Sequence, residues 1–503
     1  MLILINPTRA VLKDAALQRK PPAPYPPGPK GLPIVGNMFD MPPAYPWHTF
    51  TDWGKTFGDI IYLNVLGQPT VILNSAKQAT SLLDKKSSIY SDRPVLQMGG
   101  ELVGWNNSLA MMHQGHRLRE YRRYIHQSIG SKTSMEKHHG VIVEEDKKSL
   151  RRMLESNEDI AAEIRKTAGA IILRVTYGYT PQEDADPMVM LVEEALETFA
   201  QTTAPGAWLV DILPSLRHLP AWMPGAGFKK VAADMREVLL NMGNVPYQMT
   251  KQKLTNGLDV PSNFVAECLD KENLNAETEH NIKWAAGSLY SGGADTTVSS
   301  MHTFILAMTL YPEVQKRAQA EIDLVVGNER LPSFEDRAQL PFVEALIKEV
   351  LRWRCVAPLG LPHRATEDDI HDRFLIKKGT TVFVNIWGIL HDPEIYPNPD
   401  TFDPSRFVSE TGEPTDVPNP YNVCFGYGRR ICPGMNFADA SVFLWSTMVL
   451  AVFDISKAVG SDGKVIVPAA EHTSSVISHP KPFKCLIVPR SEKARRLILS
   501  VDE

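Results

Sequence analysis

The run CFGYGRRICPG, Cys424 to Gly434, sets three glycines, two adjacent arginines and two cysteines in one short segment. It leads straight into MNFADASVFLWSTMVLAVF, a long apolar stretch ending at Phe453. The spacing Phe425-x-x-Gly428-x-Arg430-x-Cys432-x-Gly434 suits a loop built around one sulfur. Gly428 and Gly434 remove side chains and allow positive φ, so the backbone beside the sulfur stays slim. Cys432 falls at the N-terminus of a helix beginning near Pro433, where backbone N–H groups and the helix dipole favour a thiolate. The Phe425 ring can shield the sulfur from water and oxidation. Arg430 carries a permanent charge on a fork that matches a carboxylate. Cys424 has no such requirement and reads as a small buried hydrophobe.

A heme iron held by a cysteine thiolate needs this combination: close approach of the sulfur, a stabilised but electron-donating thiolate, and a cation for a propionate. The competing reading is a glycine-rich turn with an incidental buried cysteine. On these residues the loop resembles the heme-binding loop of the cytochrome P450 heme-thiolate enzymes. That resemblance implies a mainly α fold with small β-sheets (α+β, the P450 fold), and heme b with Cys432 as its axial ligand.

Further segments extend the likeness. Glu349-Val-Leu-Arg352 resembles the E-x-x-R of the family, and residues i and i+3 share a helix face. DPSRF, Asp403 to Phe407, places Arg406 as the second arginine of a buried Glu–Arg–Arg cluster with a structural role; Ser405 stands where the family often has Glu. In SGGADTTVSS, Gly292-Gly293 inside a helix should cost about 1 kcal/mol each relative to alanine. Either a helix boundary falls here, or the helix is locally opened above the iron. In the second case Asp295 and Thr296 match the family's acid–alcohol pair for proton delivery, with Thr297 assisting. PLGLPHRA implies a propionate contact at His363, with Arg364 alongside. QGHRLREYRRYIH resembles a W-R-x-x-R pattern with Leu118 in place of Trp, which implies Arg119 and Arg122 as further propionate partners. Each of these basic residues also reads as part of a solvated helix face.

The chain has 503 residues, 43% apolar and 22% charged, the balance of a globular protein with a large core. A net charge of -5 and the lack of a basic block give no sign of a nucleic-acid partner. Cys268, Cys355, Cys424, Cys432 and Cys485 are scattered without C-x-x-C spacing, which supports neither a disulfide framework nor a zinc site. A reducing compartment fits. Residues 1–25 form an N-terminal segment without a clear membrane anchor, since MLILI is far shorter than a spanning helix. Residues 26–503 are expected to be a single heme-thiolate monooxygenase domain, and PPGPKGLPIVGN resembles the proline hinge of microsomal members.

IIYLNVLGQPTVILNS, Ile60 to Ser75, reads as a hairpin around Gly67-Gln68-Pro69. A long helix is expected from near Glu277 to Leu310, another over VEALIKEVLRWR, and a strand over Gly379 to Gly388. TTAPGAWLVDILPSLRHLPAWMPGAGF is either a buried irregular connection or a lid that also dips into a membrane surface. By position within the family, substrate contacts are expected from Val103 to Met112, Ala207 to Ile212, the long helix before Gly292, Val356 to Leu361 and Ser474 to Ile477. Met111, Met112, Leu209 and Leu359 serve equally well as plain core.

The expected function is insertion of one atom of dioxygen into an apolar or aromatic small molecule, in the manner of fungal secondary-metabolism members. Without a flavin or nicotinamide fingerprint, electrons must come from a separate NADPH–cytochrome P450 reductase docking over the cysteine face. Peripheral attachment to the cytosolic face of the endoplasmic reticulum is expected through the stretch Trp208 to Phe228. The alternatives are a reductase-independent heme-thiolate isomerase, dehydratase or peroxygenase, and a heme-binding sensor or carrier. Asp295-Thr296 argues against both, because neither needs a proton relay.

Overall fold

The structure, a computed structural model, describes residues 22–156, 159–204, 206–271 and 273–500. The MLILI start and most of the expected 1–25 segment lie outside the described residues. Helix α1 (Pro46–Phe57) precedes strands β1 (Ile60–Val65) and β2 (Gln68–Leu73). The pair joins through Leu66 and Gly67, both at positive φ (53° and 86°). Two such residues between paired Val65 and Gln68 make the turn whose twist matches a hairpin. The loop is therefore Leu66-Gly67, and Pro69 lies inside β2, ahead of the stretch that pairs onward.

The helical body comprises α2 (His116–Ile129), α3 (His139–Glu155), α4 (Ile160–Tyr177), α5 (Pro187–Thr203), α6 (Phe228–Thr255), α7 (Ala276–Leu310), α8 (Pro312–Val325), α9 (Pro341–Trp353) and α10 (Met435–Val452). Between α9 and α10 run β3 (His363–Arg364), β4 (Asp369–His371), β5 (Phe374–Ile376) and β6 (Thr381–Val384). Strands β7 (Phe453–Lys457) and β8 (Cys485–Pro489) follow α10 and pair antiparallel. The largest sheet has the order β1-β2-β6-β3, so both halves of the chain contribute to it. β6 is shorter than the apolar run suggests because the Asn385 side chain accepts the Gly388 N–H (3.1 Å) and starts a helical turn, Ile386–Leu390.

α7 crosses the centre of the molecule. Its start is set by Asn275, whose side chain accepts the N–H groups of Glu277 and Thr278 (3.0 and 2.9 Å). The helix runs unbroken through Gly292-Gly293, so no boundary falls there, and within that turn the Gly292 carbonyl accepts the Thr296 hydroxyl (2.8 Å). The glycines have another cause. A Cβ on Gly293 would stand 2.8 and 2.9 Å from Cδ1 and Cγ1 of Ile172 on α4, while one on Gly292 would meet nothing within 4 Å. Gly293 lets two helices approach; Gly292 leaves space. Replacing Gly293 by valine should therefore force α4 and α7 apart and destabilise the fold by about 1–3 kcal/mol, read as a lowered urea midpoint.

α10 is apolar on all sides because it is core. By length and composition it could cross a membrane, yet 72% of it is buried within the fold. The stretch between α5 and α6 forms a short helix, Leu209–Ile212, and a tighter turn, Pro214–His218. It is not a buried connection: Leu209, Leu213 and Trp222 face outward, the tryptophan with 81% of its surface exposed.

Candidate active site

Between α2, α4, α5, α7 and the cysteine loop lies a cavity of about 740 Å³. Cys432 lines it, half-buried. The cysteine N–H donates to the Phe425 carbonyl (2.7 Å), which pins the loop directly beneath the sulfur's own residue. Burial pushes the Cys432 thiol up, opposed by the Gly434 N–H and by Arg122. The two expected glycines act differently from each other. Gly428 has φ 54° and is forced to be glycine by the Leu83 carbonyl, 2.2 Å from where a Cβ would sit. Gly434 has φ −91°, so positive φ is not its reason; a Cβ there would lie 3.9 Å from the Cys432 sulfur, and its absence keeps that side open. Phe425 and Cys424 also line the cavity, and burial pushes the Cys424 thiol well above its usual range.

One wall is strongly basic. Arg430 is buried and donates to the carbonyls of Ser91 (2.7 Å), Leu109 (3.2 Å) and Met112 (2.6 Å). Burial lowers its pKa to about 10, against the pull of Asp92. Arg93 is equally buried, donating to the carbonyls of Ala110, Leu361 and Pro362 at 2.8–2.9 Å. Burial, then the nearby Arg430, pull its pKa well down. His363 donates through Nδ1 to the Tyr90 carbonyl (2.7 Å), and burial with the charge of Arg93 holds it down to about 3. Arg122 donates to the Ile431 carbonyl (2.8 Å), and burial lowers its pKa as well.

These four residues all line the cavity. The acid near them, Asp92, is already committed: against its burial, His113, the Gln114 N–H and Arg364 hold it well below the usual carboxylate range. Buried guanidinium groups satisfied only by carbonyls leave an uncompensated positive wall. Such a wall suits a ligand bearing two carboxylates, as heme does, with Cys432 opening into the same space. The residues fit the group. Arg364 spends its charge on Asp92 Oδ2 (Nε at 3.0 Å). Arg119 is a correction: it is exposed and does not line the cavity. Leu118, Arg122, Ile125 and Ile129 take that face of α2, and residue 119 lies about 100° round the helix from Leu118.

On α7, Gly292, Asp295, Thr296 and Thr297 line the opposite side. The Thr296 hydroxyl donates to the Gly292 carbonyl (2.8 Å), and the buried Thr297 hydroxyl has no hydrogen-bond partner among the described residues. Asp295 Oδ1 stands 3.0 Å from Nε2 of His479, which also borders the cavity. Apolar walls come from Trp105, Leu109, Leu359, Val476 and Ile477, and from Ile172, Val192, Leu196 and Phe199 on α4 and α5. Met111 and Met112 are buried core, and none of Ala207 to Ile212 lines the cavity. The side chains of α4 and α5 take that place.

Behind the cysteine loop, Glu349 and Arg352 are both fully buried. Arg352 grips the carboxylate bidentately (Nε to Oε2 2.7 Å, Nη2 to Oε1 2.8 Å) and donates to the Leu390, Pro399 and Thr401 carbonyls. The Asp403 N–H adds a hydrogen bond of 2.9 Å to Glu349, and Arg406 Nε an ionic contact at 3.4 Å. Burial pushes the Glu349 carboxyl up, and these donors pull against it.

Comparison with known families agrees with this geometry. The family model described as Cytochrome P450 matches residues 26–487. The chain belongs to the cytochrome P450 family, heme-thiolate enzymes whose iron is held by a cysteine. It is 52% identical over 480 residues to cytochrome P450 monooxygenase 208 of Postia placenta, covering 95% of this chain and 93% of that protein. Cytochrome P450 monooxygenase claR of Ampulloclitocybe clavipes is 45% identical (95% and 89% covered). Cytochrome P450 monooxygenase ppsD of Aspergillus oryzae is 40% identical (99% and 95% covered). The protein is thus a monooxygenase of the fungal P450 type, mainly α with small sheets, as the sequence implies.

Proposed function

We propose that residues 26–503 act as one monooxygenase unit that hydroxylates an apolar or aromatic small molecule of fungal secondary metabolism, with Cys432 as the heme ligand. The observation that carries this reading is the convergence on one cavity of the Cys432 sulfur, the basic wall and the Asp295–Thr296 pair. Heme bound there supplies dioxygen activation and transfer of one oxygen atom. Arg430, Arg122 and Arg93 would hold its carboxylates by charge and hydrogen bonding, and His363 would donate through Nε2 once a carboxylate's charge favours its protonated form. Gly428 and Gly434 keep the loop slim, and Phe425 covers the sulfur. Glu349, Arg352 and Arg406 brace the segment behind that loop.

Asp295 and Thr296 move protons into the cavity. The Thr296 hydroxyl rests on the Gly292 carbonyl and must turn from it to donate. Apolar walls from Trp105, Val192 and Phe199 exclude water and select an apolar substrate. Electrons arrive from a separate NADPH–cytochrome P450 reductase docking on the cysteine side. Exposed Leu209, Leu213 and Trp222 support peripheral contact with the cytosolic face of the endoplasmic reticulum.

Thr296→Ala should leave the carbon-monoxide difference spectrum of the reduced protein intact while lowering product per NADPH consumed by about tenfold or more. Unchanged coupling would remove Thr296 from the relay. A screen for substrate-induced shifts of the heme Soret band, followed by NADPH-dependent turnover, identifies the substrate.

A further inference from the structure

We propose that His479 is the positioning residue for Asp295 and its immediate proton source, so that the C-terminal loop completes a relay that α7 begins. The inference rests on the reading of Asp295 and Thr296 as proton carriers. Its basis is contact: His479 Nε2 lies 3.0 Å from Asp295 Oδ1, and both side chains are partly buried, 19% and 27% exposed, at the cavity edge.

The loop holds the imidazole there by several bonds. His479 exchanges backbone contacts with Thr473, accepting its N–H (2.8 Å) and donating to its hydroxyl (3.0 Å). Ser299 on α7 donates to the Ser478 carbonyl (2.6 Å), and the Ser478 N–H donates to the Val356 carbonyl (2.7 Å). His472 meets the Thr303 hydroxyl (3.2 Å), and His302 stacks on Phe483 (4.9 Å between ring centres). The loop is strapped along one face of α7, and Asp295 sits at the end of the strap.

Three histidines meet at this seam, and His479 stands in direct contact with a carboxylate. Burial holds His302 down to about 4 and His472 down to about 3, so both stay neutral at working pH. Other charges at the seam include Arg165 and Asp159, which act on His302 from the α4 side, Arg354, which acts on His472, and the Glu471–Lys481 pair (2.7 Å) on the loop itself.

The transfer is a simple exchange. The N–H bond at Nε2 of the imidazolium breaks and an O–H bond forms at Oδ1 of Asp295, which leaves two neutral groups. No electrons change hands, and water returns a proton to the ring. A carboxylate alone is a poor proton reservoir at neutral pH, whereas an imidazolium is a good one.

The test uses the holoenzyme with its reductase and measures product per NADPH from about pH 6 to pH 8.5, together with amide hydrogen exchange over 472–480. Coupling in the unaltered protein should fall as pH rises. His479→Gln keeps a donor to Asp295 but no titrating proton; it should lower coupling about threefold or more at the acid end and flatten the profile. His479→Ala should also speed exchange in the loop, which glutamine should not. Ser299→Ala, which loosens the strap without touching Asp295, should speed exchange and keep the pH dependence. A His479→Gln profile that still falls like the unaltered one overturns the proposal, as does unchanged exchange in His479→Ala. Asp295→Asn separates the two levels: coupling unaffected by that change removes the underlying relay, whereas uncoupling there with His479→Gln unaffected removes only His479.

Discussion

Glu349→Ala should be the most damaging single substitution in this protein, lowering stability by about 3–5 kcal/mol. The carboxylate it removes satisfies two N–H groups of Arg352, the Asp403 N–H and the charge of Arg406. What remains is a fully buried guanidinium with no counter-charge. It cannot escape to water, since its other donors are fixed on the Leu390, Pro399 and Thr401 carbonyls. Those carbonyls belong to the segment leading to the cysteine loop, so the damage should spread to cofactor retention. Glu349→Gln keeps the shape and one acceptor but loses the charge, and should fall between the two. Urea unfolding of both variants checks the order. A loss below about 1 kcal/mol in the alanine variant would contradict the assigned role.

Cys432→Ala should abolish monooxygenase activity and the carbon-monoxide difference signature of the reduced protein, while the cofactor-free chain folds as before. The sulfur borders the cavity and, apart from the Gly434 N–H, takes little part in holding the loop. The loop is fixed instead by the Cys432 N–H on Phe425, the Gly428 N–H on Asp84 and Arg430 on three carbonyls. Cys424→Ala is the matched control, because Cys424 borders the same cavity. Retention of the signature in the Cys432 variant and its loss in the Cys424 variant would exchange the two assignments.

What could be read from the sequence was what lies close together in it. The cysteine loop, the Glu349–Arg352 pair and Asp295-Thr296 each depend on spacing within one turn or one loop, and the end of α7 at Leu310 follows from the nearby Pro312. Groups assembled by tertiary closure were not legible. Arg93 sits in an ordinary proline-flanked loop, and only the docking of Leu361 and Pro362 against it makes it a cavity wall. His479 reaches Asp295 because a loop beyond α10 folds back along α7. Arg119 falls in motif register with Arg122, yet helix geometry turns it to solvent. Gly428 was legible through the positive φ it adopts, but the obstacles that exclude a side chain at Gly428 and Gly293, the Leu83 carbonyl and Ile172, are remote in sequence.

The parallel pairing of β2 with β6 has a kinetic consequence. Gln68 and Gly379, hydrogen-bonded at the end of this seam, are 311 positions apart in the chain. During synthesis the β1–β2 hairpin must wait with one open edge until about three-quarters of the polypeptide has left the ribosome. Strand edges exposed for that long invite pairing with neighbouring chains. Yield in a foreign host should therefore depend on chaperone supply and slow growth more than on the stability of the finished enzyme.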